Sequence, residues 1–320
     1  MQTNGTLALL IPAYNAAGFL PRLLGSAAAQ THAFDEIWVY DDCSTDDTAG
    51  VATALGAKVF RGDVNRGCSF GKNALANLTS CEWVHFHDAD DELLPEFVER
   101  AHVWMKEDAH DVVVFGSVER DEGTGDYGEE TNHEAAPLSQ DPVKYTIHTK
   151  INSICGIYRR SAFMAAGGYD TDPEVLYNED VAMHCSLARA GLRFCADPGV
   201  LIVNWRRPES MSNANKAKCF RAQYHVMLKA KNNDVQSKHG ADIAERLWDV
   251  AAASASVLDW ETADASARLA YQLAGTPHSQ SGLFRTLCRL QPSIALRVRE
   301  WLIRLVKPQY RVGYPGWRLR

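Results

Sequence analysis

Three polar clusters follow short apolar runs in the N-terminal part of the chain. Pro12-Ala13-Tyr14-Asn15 follows Leu7–Ile11, Asp41-Asp42-Cys43-Ser44 follows Glu36–Tyr40, and Asp88-Ala89-Asp90-Asp91 follows Trp83–His87. Asp88 and Asp90 form a DxD, two carboxylates two residues apart at the end of a strand-like run. Hard oxygen donors of this kind suit Mg²⁺ or Mn²⁺, which rest on one or two carboxylates plus substrate phosphates. Such a cation would neutralise a departing diphosphate, which is Lewis-acid catalysis at the leaving oxygen.

Neither a GxxxxGK[ST] loop nor a GxGxxG after the first apolar run is present. Phosphates must then be held by metal and by basic side chains, for which Arg66, Lys72 and the Arg206-Arg207 pair are available. Tyr14 offers a flat face on which a base could stack. Ser44, Thr45 and Asp46 read as caps for the following helix. His85 and His87 share one strand face, and the expectation is hydrogen-bonded core histidines instead of metal ligands.

These residues need a scaffold that brings them together. Strand candidates Leu7–Ile11, Glu36–Tyr40, Lys58–Arg61, Trp83–His87 and Val112–Ser117 alternate with helical spacing at Phe19–Gln30, Thr45–Leu55, Ser69–Leu78 and Glu96–Lys106. Strand–helix alternation with short links predicts an α/β fold with a mostly parallel sheet covered on both faces. Ligands bind such sheets outside the carboxyl ends of the strands, where the three clusters fall. Glu119–Pro137 is acidic and aperiodic and reads as a surface loop; Ile154–Tyr158 reads as a strand and Tyr177–Ala190 as the start of a helix ending at Gly191. Past about Asn204 only helical patterns follow, at Lys216–Lys231, Ala241–Leu258 and Ala263–Leu273.

At this point the chain resembles inverting glycosyltransferases of family 2, whose fold is called GT-A. The resemblance is carried in order by IPAYNAAGFLPRLLGSAAAQTHAFDEIWVYDDCSTDDT, NRGCSFGKNAL, WVHFHDADDELLP, YRRSAFMAAGGYD and NEDVAMHCSLARAG. It implies that Tyr14 and Asp42 hold the nucleobase and ribose, with Pro12, Asn15, Lys72 and Arg206 also on the donor side. Asp88 becomes the ribose- or sugar-side acid of the DxD, Asp90 the metal ligand and Asp180 the general base. Glu179 and the surroundings of Gly156 would shape the acceptor and sugar pocket. The implied reaction moves a sugar from a nucleotide-diphosphate sugar, a UDP-sugar foremost, to a saccharide or lipid-linked acceptor, as in surface-polysaccharide or glycolipid assembly. One departure is WRRPESMS, where Pro208 stands in place of the histidine that the family often has before a Ser-x-Ser.

The expected division is a catalytic part over 1–205, a helical extension over 206–280 and a basic amphipathic tail over 281–320. The tail holds nine Lys or Arg residues against a single acid, Glu300, while the rest carries 24 basic and 39 acidic residues. An acidic body is no nucleic-acid footprint. A basic tail interleaved with Leu290, Ile294, Trp301, Leu302 and Leu305 suits an anionic membrane surface, or a helix packed on the protein with its arginines in water. With scattered cysteines, no signal-like start and no long apolar run, the expected place is the cytoplasm, peripheral on the inner face of the cell membrane. Competing readings are a polyprenyl-phosphate sugar transferase and a non-catalytic nucleotide-sugar or membrane-binding protein with a degenerate site.

Overall fold

A computed structural model of the 320-residue chain describes residues 5–207, 215–234, 238–277 and 282–307. The chain divides into two compact units, Met1–Thr171 with Glu179–Ser210, and Asp172–Asn178 with Met211–Arg320. Residues 172–178 of the expected 1–205 part belong to the second unit. The second brings together helices from the expected extension and tail.

The first unit is built on β1 (Leu7–Ala13), β2 (Glu36–Asp41), β3 (Lys58–Arg61), β4 (Trp83–Phe86), β5 (Glu92–Leu93), β6 (Val112–Asp121), β7 (Tyr127–Thr131), β8 (Gly156–Arg159) and β9 (Phe194–Arg206). Its helices are α1 (Leu20–Ala28), α2 (Thr48–Ala54), α3 (Cys68–Leu78), α4 (Phe97–Glu107), α5 (Ala135–Gln140), α6 (Pro142–His148), α7 (Arg160–Ala165) and α8 (Glu179–Arg189). The sheet order is β3-β2-β1-β4-β8-β6-β9-β5, with β7 paired to β6. Strands β3-β2-β1-β4 and the pair β6–β9 are parallel, whereas β8 enters antiparallel between β4 and β6. Leu7–Ile11 and Trp83–Phe86 are buried along their whole length, as expected of strands covered on both faces.

Glu119–Pro137 is not a structureless loop. Its start continues β6, its middle is β7, and α5 follows. Asp121 Oδ1 accepts from the N–H groups of Gly123 (2.9 Å) and Thr124 (2.8 Å), and Arg120 lies over the Tyr127 ring. Every residue of β7 is exposed, so no apolar alternation marks it in the sequence. Strand β9 is hidden for another reason: Asp197-Pro198-Gly199 interrupts its pattern where the register with β6 shifts. Buried Asp197 accepts from Arg100 Nε and Trp104 Nε1, both at 2.6 Å, which satisfies a carboxylate that would otherwise be costly there.

The second unit contains α9 (Lys216–Asn232), α10 (Gly240–Ser256), α11 (Trp260–Ala274), α12 (Gly282–Leu290) and α13 (Pro292–Val306). The Asp172–Asn178 segment is held to α9 by Lys229–Asp172 (2.7 Å), His225–Glu174 (3.0 Å) and Asn178 Nδ2 donating to Cys219 O (2.7 Å). Helices α10, α11 and α13 pack on one another through small residues such as Ala251, Ala263, Ala267 and Ala295. Among the described residues no helix is long and apolar enough to cross a membrane.

Candidate active site

The carboxyl ends of β1, β2 and β4 adjoin one another, and the loops leaving them are tied by side chains. Asn15, at φ 50°, donates its N–H to Ser44 Oγ (2.9 Å), and its Oδ1 accepts from Thr45 N (2.9 Å). Asp46 accepts from Ala17 N (3.1 Å) and Thr48 N (3.1 Å), but the expected caps Ser44 and Thr45 tie to Asn15, and the N-cap of α2 is Asp47, whose side chain makes no cap bond. Tyr14 is left 52% exposed beside them, a free aromatic face. Asp42 is different. It is buried, and its carboxylate accepts from Arg66 N (2.8 Å) and Gly67 N (2.7 Å). Gly67, at φ 85°, makes the turn into α3 that a side chain would strain.

Lys72, on α3, is 2% exposed. Its Nζ donates to Ser153 Oγ at 2.9 Å and lies 3.4 Å from Asp88 Oδ1 and 3.8 Å from Asp180 Oδ1. Burial works to neutralise the amine, but Asp88, Tyr169 and Asp180 hold its pKa well above the ordinary value, so it stays charged. Asp88 opens into the cleft (40% exposed); desolvation by the surrounding protein raises its pKa against the pull of Lys72, and Asp180 and Asp90 add to the rise. For Asp180, burial pushes up, yet Lys72, with help from Lys150 and His184, brings the net shift below the usual carboxylate value. Asp180 and Glu179 occupy the first turn of α8, where the helix dipole favours negative charge. Asp180 Oδ1 and Glu179 Oε2 are buried with no hydrogen-bond partner, although Cys68 Sγ donates to the other Glu179 oxygen at 3.3 Å. Two orphaned acceptors beside a buried cation are what a hydroxyl-bearing ligand would satisfy.

Asp90 sits 32% exposed with the Arg207 guanidinium on its Oδ2, while Arg22 Nη2 donates to its carbonyl at 2.5 Å. Asp91 points the other way, buried, accepting from Asn204 Nδ2 (2.9 Å) and Trp205 N (2.8 Å), and so pins β9 to the DxD turn. Among the described residues no three His, Cys, Asp or Glu side chains form a metal cage. Asp90, with Asp88 beside it, matches instead the small oxygen set of a Mg²⁺ or Mn²⁺ that is completed by phosphates.

Residues 8–166 match the family described as glycosyl transferase family 2. The chain belongs to that family. Over 95 residues it is 30% identical to an uncharacterized glycosyltransferase of Haemophilus influenzae, covering 29% of this chain and 32% of that protein. Over 94 residues it is 32% identical to the succinoglycan biosynthesis protein ExoO of Rhizobium meliloti, covering 28% of this chain and 27% of that protein. The matched stretch therefore spans a third or less of those relatives. S. aureus TarS in complex with UDP-GlcNAc superposes with a TM-score of 0.69 at 20% identity over 94% of this chain and 92% of that one. Mannosyltransferase PcManGT from Pyrobaculum calidifontis, in complex with GDP-Man and Mn²⁺, gives 0.61 at 18% identity over 97% and 83%. The fold is GT-A.

In this member of family 2 several expected residues converge: Lys72, Asp88, Glu179 and Asp180 share one seam, with Asp90 across the DxD turn. Others do not. Arg206 pairs with Glu119, and Arg207 reaches the DxD instead, because neighbours at the end of a strand point to opposite sides. Gly156 is buried, with its carbonyl 2.8 Å from His85 Nδ1, so it lines no open pocket. Its missing Cβ makes room for the Tyr158 hydroxyl, which would lie 2.3 Å away. Pro12 is the half-buried end of β1, a backbone position in the turn to Tyr14. Pro208 and Ser210 lie outside the described residues. His85 and His87 are core histidines, joined Nε2 to Nδ1 at 2.9 Å and fully buried. Sequence reasoning missed Ser153 and Arg22. A serine in the short 3-10 turn before β8 and an arginine inside α1 carry no spacing signal.

Proposed function

We propose that the chain transfers a sugar from a nucleotide-diphosphate sugar, a UDP-sugar foremost, to a hydroxyl of a saccharide or lipid-linked saccharide, with inversion, in surface-polysaccharide or glycolipid assembly. The observation that carries this reading is the pair of buried carboxylate oxygens without a hydrogen bond, Glu179 Oε2 and Asp180 Oδ1, the latter 3.8 Å from the Lys72 ammonium, in a family 2 scaffold. The complexes named for TarS with UDP-GlcNAc and PcManGT with GDP-Man support a nucleotide-sugar donor.

In this reading Tyr14 stacks on the base, and Asp42 fixes the loop around the ribose, using for contact only the lone pairs that its two backbone donors leave. Asp88 orients the sugar. Mg²⁺ or Mn²⁺ held by Asp90 would supply Lewis-acid neutralisation of the leaving diphosphate. Arg207, resting on Asp90, gives a second positive group on the same side. Asp180 accepts the acceptor hydroxyl's proton late in the attack, since a carboxylate of lowered pKa is a weak base until the attacking oxygen has become acidic. Glu179 accepts a second hydroxyl and fixes the acceptor's orientation, so alignment adds to proton transfer.

Melting temperatures with a panel of nucleoside diphosphates, with and without Mn²⁺, test the donor site. One nucleotide is expected to raise the midpoint by several degrees, since about 100-fold saturation adds roughly 2.7 kcal/mol. Asp90→Ala should lose the metal-dependent part. A nucleotide-independent midpoint together with no product from any nucleotide sugar would overturn the reading. The anomeric configuration of the product, read by NMR, tests inversion.

A further inference from the structure

We infer that α13 is an interfacial helix whose outward face beds into an anionic lipid bilayer. The inference stands on the second unit alone and does not depend on the sugar-transfer reading. The helix is rotated contrary to its polarity. Glu300 and Arg304, one turn apart, are 1% and 3% exposed and pair with each other, and Arg304 Nη2 donates to Ser256 O at 3.0 Å at the end of α10. Ala295 and Leu296 complete that buried face. The apolar residues consequently point to solvent: Ile294 is 51% exposed, Trp301 47%, Leu302 38%, Leu305 44% and Val306 76%. Positions 294, 301, 302 and 305 fall on one side of a helix, so the exposure is a continuous stripe. Leu290, at the end of α12, is exposed as well, at 81%.

Burying an ion pair while presenting a tryptophan and four aliphatic side chains to water is unfavourable unless something covers that face. The surrounding charge names the occupant. Glu300 is the single acid of residues 281–320 against nine basic residues, and it is neutralised inside by Arg304 and Arg299. The surface that remains is positive, with Arg285 and Arg289 exposed on α12 and Lys307 at the far end of α13. A second copy meeting this face symmetrically would set like charges against each other. An anionic bilayer satisfies both parts, the apolar stripe and its basic margins, and a tryptophan at that depth is favoured.

The full chain should sediment with phosphatidylglycerol-rich vesicles, weakly with pure phosphatidylcholine vesicles, and less in high salt. Replacing Trp301→Ser and Leu305→Ser together should lower the partition coefficient by ~10-fold or more. Both side chains lie on the outer face, so the melting temperature should hold, which separates lost binding from lost folding. Sedimentation unchanged by the double replacement, or none by the full chain, would overturn the inference. So would light scattering that shows a dimer which the double replacement converts to monomer.

Discussion

A buried ammonium between two carboxylates governs the charge of the whole seam. Lys72 meets Ser153, Asp88 and Asp180 within 3.8 Å, and without it the burial of Asp180 would raise that carboxyl instead of leaving it low. A base must be ionised to accept a proton, so the sign is definite. With Lys72 present, the acid form of Asp180 is confined below the usual carboxylate range, and transfer should hold through mild acid. Lys72→Met leaves burial unopposed, and the acid limb of the activity profile should move up by about one pH unit or more. Asp180→Asn should lower kcat by roughly 10²–10⁴-fold while the nucleotide-induced melting shift persists. An acid limb that stays in place for Lys72→Met, in a variant that still melts cooperatively, would separate Lys72 from the base. Unchanged turnover in Asp180→Asn would remove Asp180 from that role.

Elements carry these side chains through contacts that are themselves tight. Tyr158 on β8 is fully buried, its hydroxyl 2.9 Å from His184 Nε2, and His184 Nδ1 in turn meets the Asp180 carbonyl at 2.8 Å. This chain fixes the first turn of α8 against the sheet, and it passes over Gly156. A methyl at Gly156 would lie 2.3 Å from the Tyr158 hydroxyl and 2.4 Å from Cζ, so the buried ring would have to move off its His184 hydrogen bond. Gly156→Ala should therefore cost about 1–3 kcal/mol, at roughly 2–4 °C per kcal/mol for a unit of this size. A midpoint unchanged by that substitution would show that the ring can yield. The parallel strands were legible where apolar runs report burial, as in β1, β4 and the second half of β2, while the exposed β3 was read from its place in the strand–helix alternation. Strand β7, exposed throughout, and β9, interrupted at Asp197-Pro198-Gly199, gave periodicity nothing to report. In the site the DxD announced itself by spacing, whereas Glu179 and Asp180 were implied only by the family resemblance. The choice of Arg207 over Arg206, and of packing over pocket for Gly156, is set by which way a side chain points, and only the assembled sheet decides that.

The first unit as a whole folds around neutral imidazoles. Burial pushes His85, His133 and His184 down to about 4, and His87 well below its ordinary value. In the unfolded chain each takes a proton near pH 6.5. Between about 6.5 and 4 the unfolded state therefore binds more protons than the native one, and stability present above 6.5 is lost as the pH falls. Asp91 acts in the opposite direction, because burial raises its pKa well above the usual value and acid relieves the cost of its charge. Asp88, raised by burial as well, acts with Asp91, and four imidazoles against these two carboxyls decide the sign. Glu36 and Asp111, both held near 2, add a separate loss only below about pH 4. The urea midpoint should then decline steadily from pH 7 to 5, before most carboxylates titrate, and His133→Asn should make that decline shallower. His133 suits the test because it makes one long hydrogen bond, 3.2 Å to the Tyr145 hydroxyl, so its removal disturbs little else. A midpoint that is flat from pH 7 to 5 would mean that these imidazoles take up protons in the native state, and the core around His85 and His87 would have to open to let them.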